Sequence, residues 1–128
     1  MGKQAVVAVG LCLSLAGCGS GQREAPPPTK SAFRAQADGI CAGAKTRSGR
    51  VAGLRALRPP AGDDQLYSRW LKAEADALAA TTFLTDPSKK TDVDPAVALA
   101  IAEGKVTGYA RRMGAETCAT RTIGTMPP

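Results

Sequence analysis

The chain has 128 residues, with 17 Lys and Arg against 11 Asp and Glu, a net charge of +6 and no histidine. This length corresponds to one small domain. The missing histidine excludes Ser-His-Asp and Cys-His catalysis, and the few aromatic residues do not interleave with the basic ones as a nucleic-acid stacking surface requires.

The first 18 residues, MGKQAVVAVGLCLSLAGC, have the layout of an export signal. One basic residue, Lys3, precedes an apolar segment from Ala5 to Leu15, and small residues follow that segment. A membrane-spanning helix needs about 20 apolar residues, so this segment is too short to be one. A basic start, a short apolar core and a small-residue end are typical of secretory signals. The pattern therefore predicts a signal peptide over residues 1–17.

The end of this segment, Leu15-Ala16-Gly17-Cys18, resembles the lipobox of bacterial lipoproteins. The resemblance implies that cleavage leaves Cys18 as the first residue and that its thiol carries a diacylglyceryl group. Stable anchoring takes two acyl chains, each buried methylene contributing about 0.8 kcal/mol, and one diacylglyceryl group supplies both. Two other interpretations are an ordinary signal peptide that leaves Cys18 free and a buried N-terminal helix of a cytosolic protein.

The residues after the lipobox predict a tether, a domain and a tail. Residues 18–30 form the tether, in which Gly and Ser give flexibility and the run Pro26-Pro27-Pro28 adds stiffness. About 12 such residues extend to about 35 Å. We expect a helical domain over residues 31–119 and a loose tail over residues 120–128.

The first helix of this domain is predicted to begin at Ser31, a possible N-cap. Apolar residues follow at helical spacing until Pro59-Pro60 ends the pattern. Glycines interrupt this stretch, so it is either one bent helix or two short ones. The second helix is predicted to begin near Asp63-Asp64, whose charges suit a helix N-terminus, and to end near Asp86-Pro87.

The third helix has the clearest limits. Asp94 is a good N-cap, Pro95 a good first helical residue and Gly114 a good C-terminal cap. A short turn is expected to carry Cys118. Since no alternating strand pattern is found, we expect an all-α bundle of three to four helices.

Cys41 and Cys118 remain once Cys12 is assigned to the signal and Cys18 to the lipid. An even pair in an exported domain favours a disulfide, which closes a loop of about 77 residues and contributes about 4.5 kcal/mol in the chain-entropy model. The alternatives are two free thiols or a metal site. A metal would need further ligands, and the chain has neither histidine nor Cys-x-x-Cys. The prediction is a helical bundle with one disulfide.

The segments FRAQADGICAGAK and YARRMGAETCAT, together with the lipobox, resemble a layout of small secreted or lipid-anchored helical proteins of actinobacteria. The resemblance covers about residues 33–119 and rests on short motifs of structural character. It implies the helical fold with its cysteine pair, and no particular activity.

No constellation of residues predicts catalysis, a metal or a cofactor. Among the acids, Asp63 and Asp64 belong to a helix start, while Glu74 and Asp76 are assigned to the solvated face of the second helix. The Gly104-x3-Gly108 spacing permits close helix packing. The basic residues are spread along the sequence, and their surface could meet anionic lipid headgroups or wall polymers.

The sequence is compatible with three functions. The first is a non-enzymatic interaction or accessory module at the outer face of the cytoplasmic membrane, with an unknown protein or wall-polymer partner and no nucleic acid. The second is a carrier of a small hydrophobic ligand in a groove between helices near Tyr67, Trp70 and Tyr109, although Trp70 also fits a core position. The third is a hydrolytic enzyme, which would need a carboxylate pair in a cleft.

Overall fold

A computed structural model describes residues 24–86, 88, 92–121 and 126–127. The predicted signal peptide and Cys18 lie outside the described residues. Within these ranges the chain forms five helices and no strand: α1 (Lys30–Gly43), α2 (Arg47–Arg55), α3 (Asp64–Thr85), α4 (Pro95–Met113) and α5 (Glu116–Thr120). The all-α prediction is confirmed. The fifth helix is a single turn that holds Cys118, where the sequence predicted a turn without a helix.

The ends of α4 agree with the sequence. The Asp94 carboxylate accepts a hydrogen bond from the backbone N–H of Ala96 at 2.8 Å, and Pro95 is the first helical residue. Gly114 closes the helix in the left-handed conformation, with φ of 75°. At α1 the predicted N-cap is wrong by two positions. Thr29 caps this helix, since its hydroxyl accepts from the N–H of Ala32 at 3.1 Å.

The stretch before Pro59 forms two helices, α1 and α2, rather than one bent helix. Thr46 starts the second of them, because its hydroxyl accepts from the N–H of Gly49 at 3.0 Å. Gly53 lets the two helices approach closely, since a Cβ atom at this position would lie 2.8 Å from a methyl carbon of Ile40. Gly49 therefore belongs to a new helix start and Gly53 to a close helix contact, whereas Gly39 and Gly43 have open space around them.

The core lies between the long antiparallel hairpin of α3 and α4 and the pair α1 and α2. Three aromatic side chains form its centre at edge-to-face angles: Phe33 and Tyr67 have ring centroids 5.6 Å apart, and Tyr67 and Trp70 have centroids 6.4 Å apart. Such pairs contribute about 0.5–1.5 kcal/mol beyond their burial. The remaining buried apolar cluster is made of small and medium side chains: Ala37, Cys41, Leu54, Ala73, Val106, Ala110, Met113, Ala115, Cys118 and Ala119.

The predicted disulfide is present between Cys41 of α1 and Cys118 of α5, at a sequence separation of 77. Both cysteines are inaccessible to solvent. A second link lies beside it, because the Asp38 carboxylate accepts from the N–H of Thr117 at 2.8 Å. These two links fix the short α5 against α1.

The C-terminal segment, residues 120–128, was predicted to be loose. Thr120 is the last residue of α5, the Arg121 side chain contacts the end of α1, and residues 126–127 lie against the domain. Met126 is buried, and the carbonyl of Pro127 accepts from the N–H of Arg47 at 2.9 Å. Residues 122–125 and 128 lie outside the described part. Among the described helices, none combines the length and the apolar character that crossing a membrane requires.

Candidate functional site

A cluster of charged side chains lies inside the bundle, between α2 and α3. The Arg50 guanidinium donates to the Glu74 carboxylate through Nη2 at 2.6 Å and Nε at 3.1 Å, and both side chains are fully buried. The Trp70 ring N–H donates to the same carboxylate oxygen at 3.1 Å. Arg50 also donates to the carbonyl of Cys118 at 3.1 Å. One ion pair therefore joins α2, α3 and the disulfide-bonded α5.

A second arginine, Arg47, is also fully buried, one turn earlier on α2. It donates to the carbonyl of Ala77 at 2.8 Å and lies 3.8 Å from the carboxylate of Glu103 on α4. Burial lowers the pKa of Arg47 from its ordinary value; the carboxylates of Glu103 and Glu74 partly offset this effect, and Arg50 adds to it.

The burial of Glu74 corrects the sequence analysis, which assigned it to the solvated face. Glu74 lies four residues after Trp70 and three before Ala77, so it occupies the apolar stripe of α3. This spacing, together with the Arg47 and Arg50 pair on α2, was a signal that could have identified the cluster. Asp76 does lie on the exposed face, where it pairs with Lys72 at 2.8 Å. The sequence assignment is therefore confirmed for Asp76 only.

The three residues predicted to line a ligand groove lie at the core, with Tyr109 packed against the buried cluster that contains Tyr67 and Trp70. Tyr67 and Trp70 are core residues, and the Tyr67 hydroxyl donates to the carbonyls of Leu54 and Leu57. Burial raises the pKa of Tyr67. Tyr109 is half-buried and borders a hollow of about 100 Å³ between α3 and α4. Tyr109 therefore lines this hollow, whereas Tyr67 and Trp70 are buried and do not line it.

A larger cleft lies between α4 and α5. Its volume is about 380 Å³, and its described lining is Ala100, Glu103, Gly104, Val106, Thr107, Cys118, Ala119 and Arg121. The Arg121 guanidinium at its edge donates to the carbonyls of Cys41, at 2.6 Å, and Ala42. This side chain thus closes the C-terminus of α1 and is engaged in the fold.

An exposed apolar surface, which we call the distal face, lies at the end of the α3–α4 hairpin opposite the start of α1. Its four large side chains are exposed by 46 to 54%: Leu84, Val93, Val97 and Ile101. A hollow of about 270 Å³ adjoins it, bordered by Val93 and Ile101 together with Asp76, Ala98, Ala102 and Lys105. The distal face therefore combines apolar side chains with a shallow depression.

The remaining sequence candidates do not form a site. Asp63 pairs with Lys30 at 3.5 Å across the starts of α3 and α1. Gly104 and Gly108 are exposed with open space around them, so the expected close helix packing at this spacing is wrong within the described chain.

Groups of three or more His, Cys, Asp or Glu residues arranged to hold a metal ion are absent from the described ranges. No protein-family model matches the chain, and neither a curated protein nor a solved structure matches it.

Proposed function

We propose that this chain is a lipid-anchored extracytoplasmic module that binds a protein partner through its distal face. The observation that carries the proposal is the set of exposed apolar side chains at one end of the hairpin: Val93 and Ile101 border the same hollow, and Val97 lies one turn before Ile101 on α4. Single exposed apolar side chains are common in soluble proteins, whereas contiguous apolar patches mark interaction sites. The face lies opposite the start of α1, so a membrane anchor preceding α1 leaves it directed away from the bilayer.

Two features support export and anchoring. The lipobox resemblance places the lipid on Cys18, six residues before the first described residue, Glu24. The Cys41–Cys118 disulfide suits an oxidising compartment, since such bonds are rare in the cytosol.

Mass spectrometry of the protein from membranes of the producing cell tests the anchor. We expect the chain to begin at Cys18, with the mass of a diacylglyceryl group on this residue. Cys18→Ser should shift the protein out of the membrane fraction, while Cys12→Ser should leave it there, because Cys12 lies in the part removed. A chain that keeps residues 1–17 would contradict the proposal.

Site-specific photo-crosslinking tests the docking face. A crosslinking amino acid at Ile101 should give one discrete protein adduct in cells, and the same group at the exposed Lys72 should not. Ile101→Glu should abolish the adduct formed from a crosslinker at Val97. Adducts of equal yield from Lys72 and Ile101 would argue against a docking role for the distal face.

The carrier of a small hydrophobic ligand is the second candidate, and the α4–α5 cleft favours it. A volume of about 380 Å³ falls within the range of ligand pockets, about 300–1,000 Å³, whereas the hollow beside Tyr109 is smaller. Gly104→Leu would fill the cleft from an exposed helix position. If the chain is a carrier, this variant should lose binding of a fluorescent apolar probe that the wild-type domain binds, and Gly108→Leu should not.

A further inference from the structure

The fold gathers basic residues that are far apart in the sequence. Arg34 Nε donates to the carbonyl of Met113 at 3.4 Å, which places the start of α1 beside the end of α4. Lys30 pairs with Asp63, which places the start of α1 beside the start of α3. The Tyr67 hydroxyl reaches the carbonyls of Leu54 and Leu57, so the end of α2 lies at this level too.

These contacts define the tether end of the molecule, where the helical domain meets the segment from Cys18. Its exposed basic residues are Lys30, Arg34, Arg55, Arg58, Arg111 and Arg112. Three carboxylates share this end, Glu24, Asp63 and Asp64, while Asp38 lies one turn after Arg34 on α1 and Glu116 lies at the start of α5. Positive charge is therefore in excess here, although the sequence shows no basic run at these positions.

Arg34, Arg55, Arg111 and Arg112 form no ion pair with any carboxylate in the described part of the chain, whereas Lys30 and Arg58 do. Arg58 pairs with Glu24 at 2.8 Å and donates to the carbonyl of Ala25. Arg58 thereby holds Glu24 and Ala25, the first described residues of the tether, against the domain. Glu24 lies six positions after Cys18, and an extended chain of this length reaches at most about 22 Å, less than the 35 Å expected from the sequence.

We infer that the tether end is a membrane-binding surface for anionic phospholipid headgroups, which orients the domain with the distal face outward. The inference rests on the lipid anchor proposed above, because the anchor keeps this surface near the bilayer. Arginines that are not engaged by carboxylates are attracted by anionic headgroups within a Debye length of the surface. Lipid is the occupant that the geometry favours, since the tether emerges from the same end.

Vesicle sedimentation tests the surface without the anchor. Residues 19–128 contain every residue of the described core and both disulfide cysteines, so this form retains the folded domain, and circular dichroism verifies it. We expect it to bind vesicles that contain phosphatidylglycerol, to leave pure phosphatidylcholine vesicles unbound and to dissociate in high salt. The combined change Arg55→Gln, Arg111→Gln and Arg112→Gln should weaken binding roughly 100-fold.

The matched control removes the same number of charges elsewhere: Lys45→Gln, Lys72→Gln and Lys105→Gln, all at exposed positions. It should retain most of the binding. Equal loss in the two variants, or no binding of the wild-type domain, would overturn the inference. So would binding to soluble polyphosphate at least as tight as to the vesicles, which would instead indicate an anionic wall polymer. Because this form lacks Cys18, its result is independent of whether the native chain is lipidated.

Discussion

Glu74 and Asp76 lie two residues apart on α3, and their surroundings are opposite. The side chain of Glu74 has no exposed surface, whereas that of Asp76 is 47% exposed. Glu74 is held by Arg50 and by the ring N–H of Trp70, whereas Asp76 pairs with a lysine on its own helix. A buried carboxylate of this kind depends on its partners, because an uncompensated charge in a protein interior is strongly unfavourable.

We therefore expect Glu74→Met to lower the free energy of unfolding by about 3–5 kcal/mol, since it leaves Arg50 charged and buried. The double change Arg50→Met and Glu74→Met should cost less than the single one, because no charge is then left unpaired in the core. Chemical denaturation measures both. The control Asp76→Ala should change stability by less than about 1 kcal/mol, as exposed pairs do. A Glu74→Met protein as stable as the Asp76→Ala protein would show that the buried pair is unimportant.

Tyr67 gives a prediction on pH. Its pKa is raised above the ordinary value of 10.0 by burial, so the folded protein keeps the phenol proton at a pH where the unfolded chain loses it. The stabilisation that the buried phenol contributes is complete at pH values below the Tyr67 pKa of the unfolded chain. It is lost as pH rises above about 10 toward the higher Tyr67 pKa of the folded protein.

Denaturation midpoints across this alkaline range should fall more steeply for the wild type than for Tyr67→Phe. The variant should also be less stable by about 1 kcal/mol at neutral pH, since it loses the hydrogen bonds to Leu54 and Leu57. Parallel pH profiles of the two proteins would contradict the assigned role of burial.

The sequence predicted which apolar residues are buried better than it predicted which charged residues are buried. Trp70 was expected on the apolar stripe of α3, and it is buried. Hydrophobic periodicity identifies which face of a helix is apolar, but it treats a glutamate on that face as an exception. Only the packing of α2 against α3, which periodicity does not contain, brings Arg50 to Glu74.

At the scale of elements, helix limits were predictable where a side chain or a glycine determines them. Asp94, Pro95 and Gly114 each have a local stereochemical reason to end a helix, and α4 ends where they predict. The helix α5 was not predicted, because five residues are too few to show a period. Its position depends on the disulfide and on the carboxylate of Asp38.

Two glycines of the α4 region should respond in opposite directions to the same substitution. Gly108 is exposed within the helix and has open space around it, so Gly108→Ala should stabilise the protein by about 0.5–1 kcal/mol. Gly114 has φ of 75° and lies against the Arg34 side chain, so Gly114→Ala should cost about 1–2 kcal/mol. Thermal melting of the two variants beside the wild type checks this contrast. Shifts in the same direction would show that α4 does not end as described.

At the scale of the whole molecule, the arrangement has two different ends. Exposed arginines lie at the tether end, where α1 begins, and the large exposed apolar side chains lie at the other end of the hairpin. The sequence suggested an even spread of positive charge, because its basic residues lie on α1, on α2 with the segment after it, and on α4. The basic residues cluster because the helices pack antiparallel, so the cluster cannot be recognised from the sequence alone.

The disulfide contributes to holding this arrangement together, because it ties α5 covalently to α1 beside the hydrogen bond between Asp38 and Thr117. Closing a separation of 77 residues contributes up to about 4.5 kcal/mol by restricting the unfolded chain. Cys118 is buried, and its backbone carbonyl accepts a hydrogen bond from Arg50. The disulfide therefore also holds in place an acceptor for the buried charge cluster. We expect the Cys41→Ala and Cys118→Ala double variant to lose about 2–5 kcal/mol of stability.

Chemical denaturation separates the contribution of the disulfide from that of the packing of α5. It is carried out on the oxidised protein, on the same protein reduced before unfolding, and on the double variant. The reduced protein and the double variant should unfold at similar, lower denaturant concentrations, because both lack the covalent constraint on the unfolded chain. Arg50→Met should cost less in the double variant than in the oxidised protein, since the loss of the bond frees α5 and its carbonyl acceptor. Equal costs in the two backgrounds would mean that α5 stays docked without the bond, and that packing around Ala115 and Ala119 is sufficient to hold it.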